Sequence, residues 1–291
     1  MNGTSPSDNE QAALWNGLAG RAWVETQDLL DQVFKPFEEL LVDAVRSRSS
    51  DHVLDVGCGP GSVTLAVARL LGAEGCPAGV DISAPMIAAA RARAERESLS
   101  ASFICADAQI HPFEPGTFDT IISRFGVMFF DDARRAFANL RRAARDQADL
   151  RFIAWRRAAE NPFMTTAERA AAPLLPNLPA RRRDAPGQFA FADRDKVHRI
   201  LEESGWAEID IRPIDVTCTI PEPELVRYFT RMGPVCRMLQ ETEEPARAQV
   251  IEAVRAAFDP YVHGAEVRFT AACWMAGARA AIAPSPIAGA I

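Results

Sequence analysis

A chain of 291 residues with 48% hydrophobic and 24% charged side chains can bury a large core, and it exceeds the roughly 100–150 residues of a typical domain. This composition excludes a disordered or fibrous protein, and the formal net charge of -7 weighs against a nucleic-acid partner, because phosphate binding shows as a basic face. There is no run of about 20 apolar residues, and residues 1–11 are polar, so neither a membrane span nor a signal peptide is expected, and the expected location is cytoplasmic.

In chain order, Leu29, Leu30, Val33, Phe34, Leu40, Leu41, Ala44 and Val45 recur at helical spacing, interrupted by Pro36, so residues 1–50 read as an N-terminal helical arm. Residues 51–57 predict a short buried strand, and Val63, Ala66, Val67, Leu70 and Leu71 mark one face of the helix behind it. A second strand ends at residues 79–82, where Ser83 is placed to cap a long helix with Pro85 in its first turn. Residues 102–105 and 118–123 predict a third and a fourth strand. Asp131 or Asp132 then caps a helix whose apolar face is Ala133, Ala136, Phe137, Leu140 and Ala144, and residues 150–155 supply a fifth strand. Strands alternating with helices imply an α/β protein with a parallel sheet covered on both faces, its core spanning residues 51–157.

Beyond that core the pattern loosens. Residues 158–190 are rich in proline and arginine, and the basic run Arg181, Arg182, Arg183 lies among Pro176, Pro179 and Pro186, which favours a solvated loop. Residues 191–220 hold a helix capped by Asp193, ending at Gly205, and a sixth strand at 208–216. Residues 221–262 are helical, 263–280 return to strand, and 281–291 read as a loose tail. The six cysteines show no pair at metal or redox spacing and read as reduced packing residues.

The strongest chemical signal is the turn that follows the first strand. Gly57, Gly59 and Gly61 stand where a strand passes into a helix, which lets a ligand approach the backbone while amides at the helix start face it. A P-loop is excluded, since no Gly-Lys-Ser/Thr follows. A dinucleotide site also carries an acidic residue about 20 positions on, as Asp81 is here, but its third glycine stands one residue later than Gly61.

Residues 53–61, then Gly79, Val80, Asp81, Ile82 and Ser83 with Met86, then residues 105–108 and 118–123, together resemble the ordered motifs of class I S-adenosylmethionine (SAM) methyltransferases. Within that class the chain is most similar to the small-molecule branch of the ubiquinone and menaquinone C-methyltransferases, over roughly residues 50–157. The resemblance implies a Rossmann-like, seven-stranded, mostly parallel sheet with helices on both faces and a helical cap. It implies further that Gly57, Gly59 and Gly61 lie against the methionine part of SAM, with Asp55 supporting the turn, and that Asp81 accepts the ribose hydroxyls. The resemblance also implies that Ile82 and Met86 sandwich the adenine, that Asp107 and Ala108 read its edge, and that Arg124 and Phe125 lie near the methionine end and the methyl group.

The segment from Trp15 to Trp23, with Arg21 between them, is a large aromatic surface to leave in water, and is expected to fold over the site as a lid. Trp15, Trp23, Phe129 and Trp155 are the residues expected to face the methyl acceptor, under a roof of the arm and the insertions at 158–190 and 221–262. Relatives often carry histidines after the fourth strand, but residues 124–130 have none; His52, His111, His198 and His263 stand apart and read as structural or surface residues. No catalytic acid or base and no metal ligand set is expected. Enclosure then carries catalysis, because methyl transfer is an in-line displacement that gains from contact and exclusion of water. The expected function is SAM-dependent methylation of a small molecule. Its rivals are an NAD(P)-dependent oxidoreductase, disfavoured by the glycine spacing and by the lack of a tyrosine–lysine pair, and a SAM-binding protein without transferase activity.

Overall fold

The computed structural model describes residues 6–46, 52–179, 181 and 185–281. Residues 282–291, read as a tail, and Arg182 and Arg183 of the basic run lie outside them. Arg181 is paired, its guanidinium donating to the Glu168 carboxylate and lying 4.9 Å over the Phe189 ring.

The arm is four helices, α1 (Pro6–Asn16), α2 (Leu18–Glu25), α3 (Gln27–Val33) and α4 (Lys35–Arg46). The break between α3 and α4 falls at Phe34, with Pro36 in the first turn of α4, where its missing N–H goes unused. The alternation then follows as β1 (His52–Val56), α5 (Ser62–Leu71), β2 (Cys76–Asp81), α6 (Ala84–Glu97), β3 (Ser102–Cys105), β4 (Phe118–Arg124), α7 (Ala133–Ala143) and β5 (Ala144–Trp155). Ser83 and Asp132 cap α6 and α7, accepting from Met86 N at 3.5 Å and Arg135 N at 3.0 Å. The second half comprises α8 (Pro162–Ala171), α9 (Arg194–Glu203), β6 (Trp206–Pro221), α10 (Leu225–Arg231), α11 (Gly233–Glu241), α12 (Ala246–Ala257), β7 (Val262–His263) and β8 (Glu266–Ala280). Asp193 caps α9 through the amides of Asp195 and Lys196.

The sheet runs β3-β2-β1-β4-β5-β8-β6, with β7 pairing β8. It has eight strands and is mixed, which corrects the expected seven-stranded, mostly parallel sheet: β1 to β5 are parallel, but β8 runs antiparallel to β5, β6 and β7. The eighth strand comes from Gly264, whose φ of +66° lets a two-residue loop fold the chain back so that Val262 faces Val267. The expected final strand at 263–280 is therefore a hairpin. The strands β5 and β6 also begin earlier, and β6 ends later, than their apolar cores suggest. The polar stretch at the start of β5 is irregularly paired, with a register shift between Phe118 and Thr120 and Gln147 at φ +65°.

The expected insertions pack on one another. Phe163 of α8 stacks on Phe269 of β8 at 3.8 Å and meets Phe258, which also lies against Phe229 of α10. Asn161 splices this layer to the sheet, its amide donating to Ala272 O and accepting from Ala272 N, both at 2.9 Å, as a neighbouring strand would.

The α1–α2 part of the arm is held at both ends. At its start, the Asn16 side chain donates to Ile82 O at 3.1 Å and accepts from Ala84 N at 2.8 Å, while Ser83 Oγ donates to Trp15 O at 2.6 Å. Gly20 makes this approach possible, since a Cβ there would stand 1.9 Å from Trp15 O and 2.9 Å from Ser83 Oγ. Further along, Glu25 pairs with Arg231 of α10 at 2.9 Å, and its carbonyl accepts from Arg227. Gly20→Ala is expected to push α1 and α2 apart. Trypsin should then cleave at Arg21 several-fold faster, with the thermal midpoint of the sheet shifting by no more than about 2–4 °C, the scale of a 1 kcal/mol change in a large domain. Unchanged cleavage would contradict the tight contact.

Candidate functional site

The sheet reverses its order at β1, which has β2 on one side and β4 on the other, and a crevice opens at the carboxyl ends of these strands as expected for such a switch point. It holds about 1070 Å³ of empty space, its open mouth included. Its floor is the glycine turn. Gly57 and Gly59 take left-handed φ values of +68° and +54°, and a Cβ on Gly57 would meet Gly126 Cα at 2.6 Å, so the turn lies wedged against the loop after β4.

Asp81 ties the turn to the next helix. Its Oδ2 accepts from Gly59 N and its Oδ1 from Ser83 N, each at 2.9 Å. Burial raises its pKa, opposed by the amides of Ser83 and Gly59. Ile82, Met86, Asp107 and Ala108 line the wall beyond it, with Asp107 Oδ1 accepting from Gln109 N at 2.9 Å. Below the turn, Asp55 accepts from Thr64 Oγ1 at 2.7 Å, and burial pushes its pKa up to about 6. Arg124 ends β4 and also lines the crevice, with its guanidinium carbon 5.8 Å from the Phe34 ring centre. Burial lowers its pKa, opposed by the negative charges of Asp31, Asp55 and Glu38.

The walls near the mouth are aromatic. Trp15 stands edge-on to Phe129 at 5.0 Å and to Trp23 at 6.3 Å, and Trp23 stacks on Phe34. Phe125 lines the crevice at φ +64°, a conformation that costs a bulky residue about 1–3 kcal/mol. It is held there by stacking on Trp155 at 4.7 Å with the rings 13° from parallel.

Two of the expected site residues lie elsewhere. Trp155 is 3% exposed and does not line the crevice: it sits behind Phe125, packed against Phe34 and Phe37. Gly61 does not line it either. At φ +86° it precedes α5, and a Cβ there would crowd Ala90 and Phe103, so its task is close packing of helix on strand. Among the described residues, none that lines the crevice belongs to 158–190 or 221–262, whose helices pack over β8 and grip the arm through α10. None of the four histidines lines the crevice. Sequence reasoning missed Gln11, which stands one helical turn before Trp15, and Gln109, whose Oε1 accepts from Asp132 N at 2.8 Å and so fixes the loop carrying Phe129 and Phe130.

A glycine turn after β1, an acidic residue ending β2 and this strand order make up a Rossmann-like α/β fold, shared with a solved "putative methyltransferase" of Bacillus halodurans at a TM-score of 0.54 and 14% identity, over 83% of this chain and 99% of that one. Residues 53–147 match the family described as "Methyltransferase domain". Over 108 residues, 37% of its length, the chain is 35% identical to aklanonic acid methyltransferase DauC of Streptomyces sp. strain C5, covering 49% of that protein. Over 115 residues, 39% of its length, it is 32% identical to nocamycin O-methyltransferase of Saccharothrix syringae, covering 41% of it. The matched segment thus spans half or less of these curated relatives. Among solved structures, the YcgJ protein of Bacillus subtilis shares the fold with a TM-score of 0.55 at 16% identity, over 84% of this chain and 98% of that one.

The raised pKa of Asp55 has a consequence for stability. Between its ordinary value of 3.8 and its folded value of about 6, the unfolded chain loses the proton first, so this group makes the fold less stable as pH rises through that window. The effect is of order 2–3 kcal/mol. Asp55→Asn keeps an acceptor for Thr64 and cannot ionise. The unfolding free energy of the wild type relative to this variant, measured in urea, is expected to fall between pH 4 and pH 7; a difference independent of pH would contradict it.

Proposed function

We propose that the protein transfers the methyl group of SAM to a small organic acceptor held in the aromatic mouth of the crevice. The observation that carries this reading is Asp81, whose carboxylate lies in the crevice wall beside the glycine turn. The residues fit the cofactor. Gly57 and Gly59 leave the floor without side chains, Asp81 keeps acceptor lone pairs for a diol, and Ile82 and Met86 supply apolar faces beside Asp107 and Ala108 for a flat base. When bound, SAM supplies an electrophilic methyl group on a sulfonium. The chain's part is to orient and enclose: Trp15, Trp23 and Phe129 exclude water and offer flat faces, and no titratable base is assigned to the reaction.

The two curated relatives support a small-molecule acceptor, being named as methyltransferases of aklanonic acid and, on oxygen, of nocamycin. The motif resemblance to ubiquinone and menaquinone C-methyltransferases extends the proposal to an acceptor with a flat ring, which suits the mouth. The oxidoreductase reading is disfavoured further by the two tyrosines, since Tyr228 and Tyr261 pack around Phe163, away from the crevice.

Native mass spectrometry of the purified protein is expected to detect SAM or S-adenosylhomocysteine, and a dinucleotide in their place would overturn the proposal. Asp81→Ala removes charge-assisted hydrogen bonds of about 1.5–3 kcal/mol each, so S-adenosylhomocysteine should bind at least tenfold more weakly by calorimetry. Unchanged affinity would sink the assignment of Asp81.

A further inference from the structure

A second cavity adjoins the crevice. It holds about 1380 Å³ of empty space, its open mouth included, and it shares Phe130 and Asp131 with the crevice, so these two residues form the wall between them. The two spaces differ in charge. Asp55, Asp81, Asp107 and Asp131 line the crevice, where Arg124 is the sole cation among the described residues. The cavity instead meets the side of α9 that carries Lys196, Arg199, Ile200 and Glu203, positions one helical turn apart. Glu203 pairs with Arg134 of α7 at 2.9 Å, and Ser204 Oγ donates to Arg134 O at 3.0 Å, so the two helices are latched beside the cavity. Asp132 is engaged in capping α7. Lys196 and Arg199 have no carboxylate partner among the described residues: Lys196 Nζ donates to Ala190 O at 3.4 Å, and Arg199 feels the Asp193 carboxylate at longer range. Two like charges one turn apart repel, and Lys196 in the first turn of α9 also opposes the helix dipole, so these charges do not serve the helix itself. The far wall is fixed as well. Gly187 N donates to Met128 O at 3.0 Å, Trp274 Nε1 donates to Ala192 O at 3.1 Å, and the buried Phe191 stacks on Phe137.

We propose that this cavity is a subsite for the methyl acceptor, in which Lys196 and Arg199 bind an acidic substituent of a flat molecule whose ring lies in the aromatic mouth. This rests on the SAM reading above and deepens it by giving the acceptor a charge. The aspartates of the crevice favour a cationic sulfonium and repel an anion, so an acidic acceptor keeps its charge beyond Phe130 and Asp131, where the unpaired cations stand. Apolar surface continues from one space into the other, because Phe130 lines both and Phe191 lines the cavity. A carboxylate there would relieve the repulsion between Lys196 and Arg199 through charge-assisted hydrogen bonds. The two cations select and orient the acceptor, and take no part in bond making.

The test titrates two probes of one shape into the full chain by calorimetry, with S-adenosylhomocysteine present: anthraquinone-2-carboxylate and the neutral anthraquinone-2-carboxamide. The wild type is expected to bind the carboxylate about tenfold more tightly or better. In the double variant Lys196→Gln with Arg199→Gln, the carboxylate should fall to within about threefold of the carboxamide, the affinities for the carboxamide and for S-adenosylhomocysteine staying unchanged. A wild type without the preference, or a preference that survives in the double variant, would overturn the proposal. Benzoate reports on the cavity alone and should bind about tenfold more weakly than anthraquinone-2-carboxylate or worse, since it cannot reach both spaces at once. Equal binding of the two would make the cavity a free anion site and overturn its link to the acceptor. Failure of S-adenosylhomocysteine to bind the wild type would refute the SAM reading, a separate result, the two anthraquinone probes then being compared without it. Should the double variant fail to fold by circular dichroism, Arg199→Gln alone carries the comparison, with the preference expected to drop about threefold or more.

Discussion

Two hydrogen bonds to one carboxylate set the geometry on which the crevice depends. Asp81 accepts from Gly59 on one oxygen and from Ser83 on the other, so the glycine turn after β1 and the cap of α6 are fixed to the end of β2 by a single side chain. Ser83 passes the constraint outward, since its hydroxyl caps α6 and donates to Trp15 O, and Asn16 beside it binds the backbone on both sides. The aromatic wall therefore inherits its position from the same residues that shape the floor. A carboxylate used in this way is partly desolvated, and its amide donors are what keep the anionic form tolerable.

The legibility of this arrangement in the sequence follows the range of the interactions. The strand-turn-helix of β1 and α5, the caps at Ser83, Asp132 and Asp193, and the break before α4 all depend on neighbours a few residues away, and those could be read. What could not be read was tertiary. Nothing near Trp155 says that Phe125 will stand between it and the crevice, and nothing near Gly61 says that Ala90 and Phe103 will close on it. The helical stretch 221–262 is plainly helical in its apolar spacing, but its destination over β8 is set by Phe163, Phe258 and Phe269, contributed from separate parts of the chain. The Gly264 hairpin was legible in principle, since a glycine followed by a small residue between apolar runs is a hairpin signal.

Behind the crevice, charged groups are tied to one another by short contacts. Arg93 both pairs with Asp31 and donates to Pro60 O, so the arm, α6 and the glycine turn share one guanidinium. Lys35 and Glu38 form a local pair on α4. The Arg93–Asp31 pair, largely shielded from water, adds little net stability, because desolvation offsets most of the attraction, but removing one member leaves a costly orphan, so it acts more as a constraint on register than as a source of cohesion.

The suspension of the α1–α2 hairpin from its two ends bears on local stability. Its downstream end is held by the Glu25–Arg231 pair, the Arg227–Glu25 contact and the buried residues of α3 and α4, whereas the α1–α2 hairpin hangs from Asn16, Ser83 and the packing of two tryptophans. Hydrogen bonds to partly exposed groups contribute about 0.5–1.5 kcal/mol each, so freeing the hairpin costs a small part of what unfolding the sheet would cost. Under destabilising conditions the hairpin is therefore expected to open ahead of the sheet behind it.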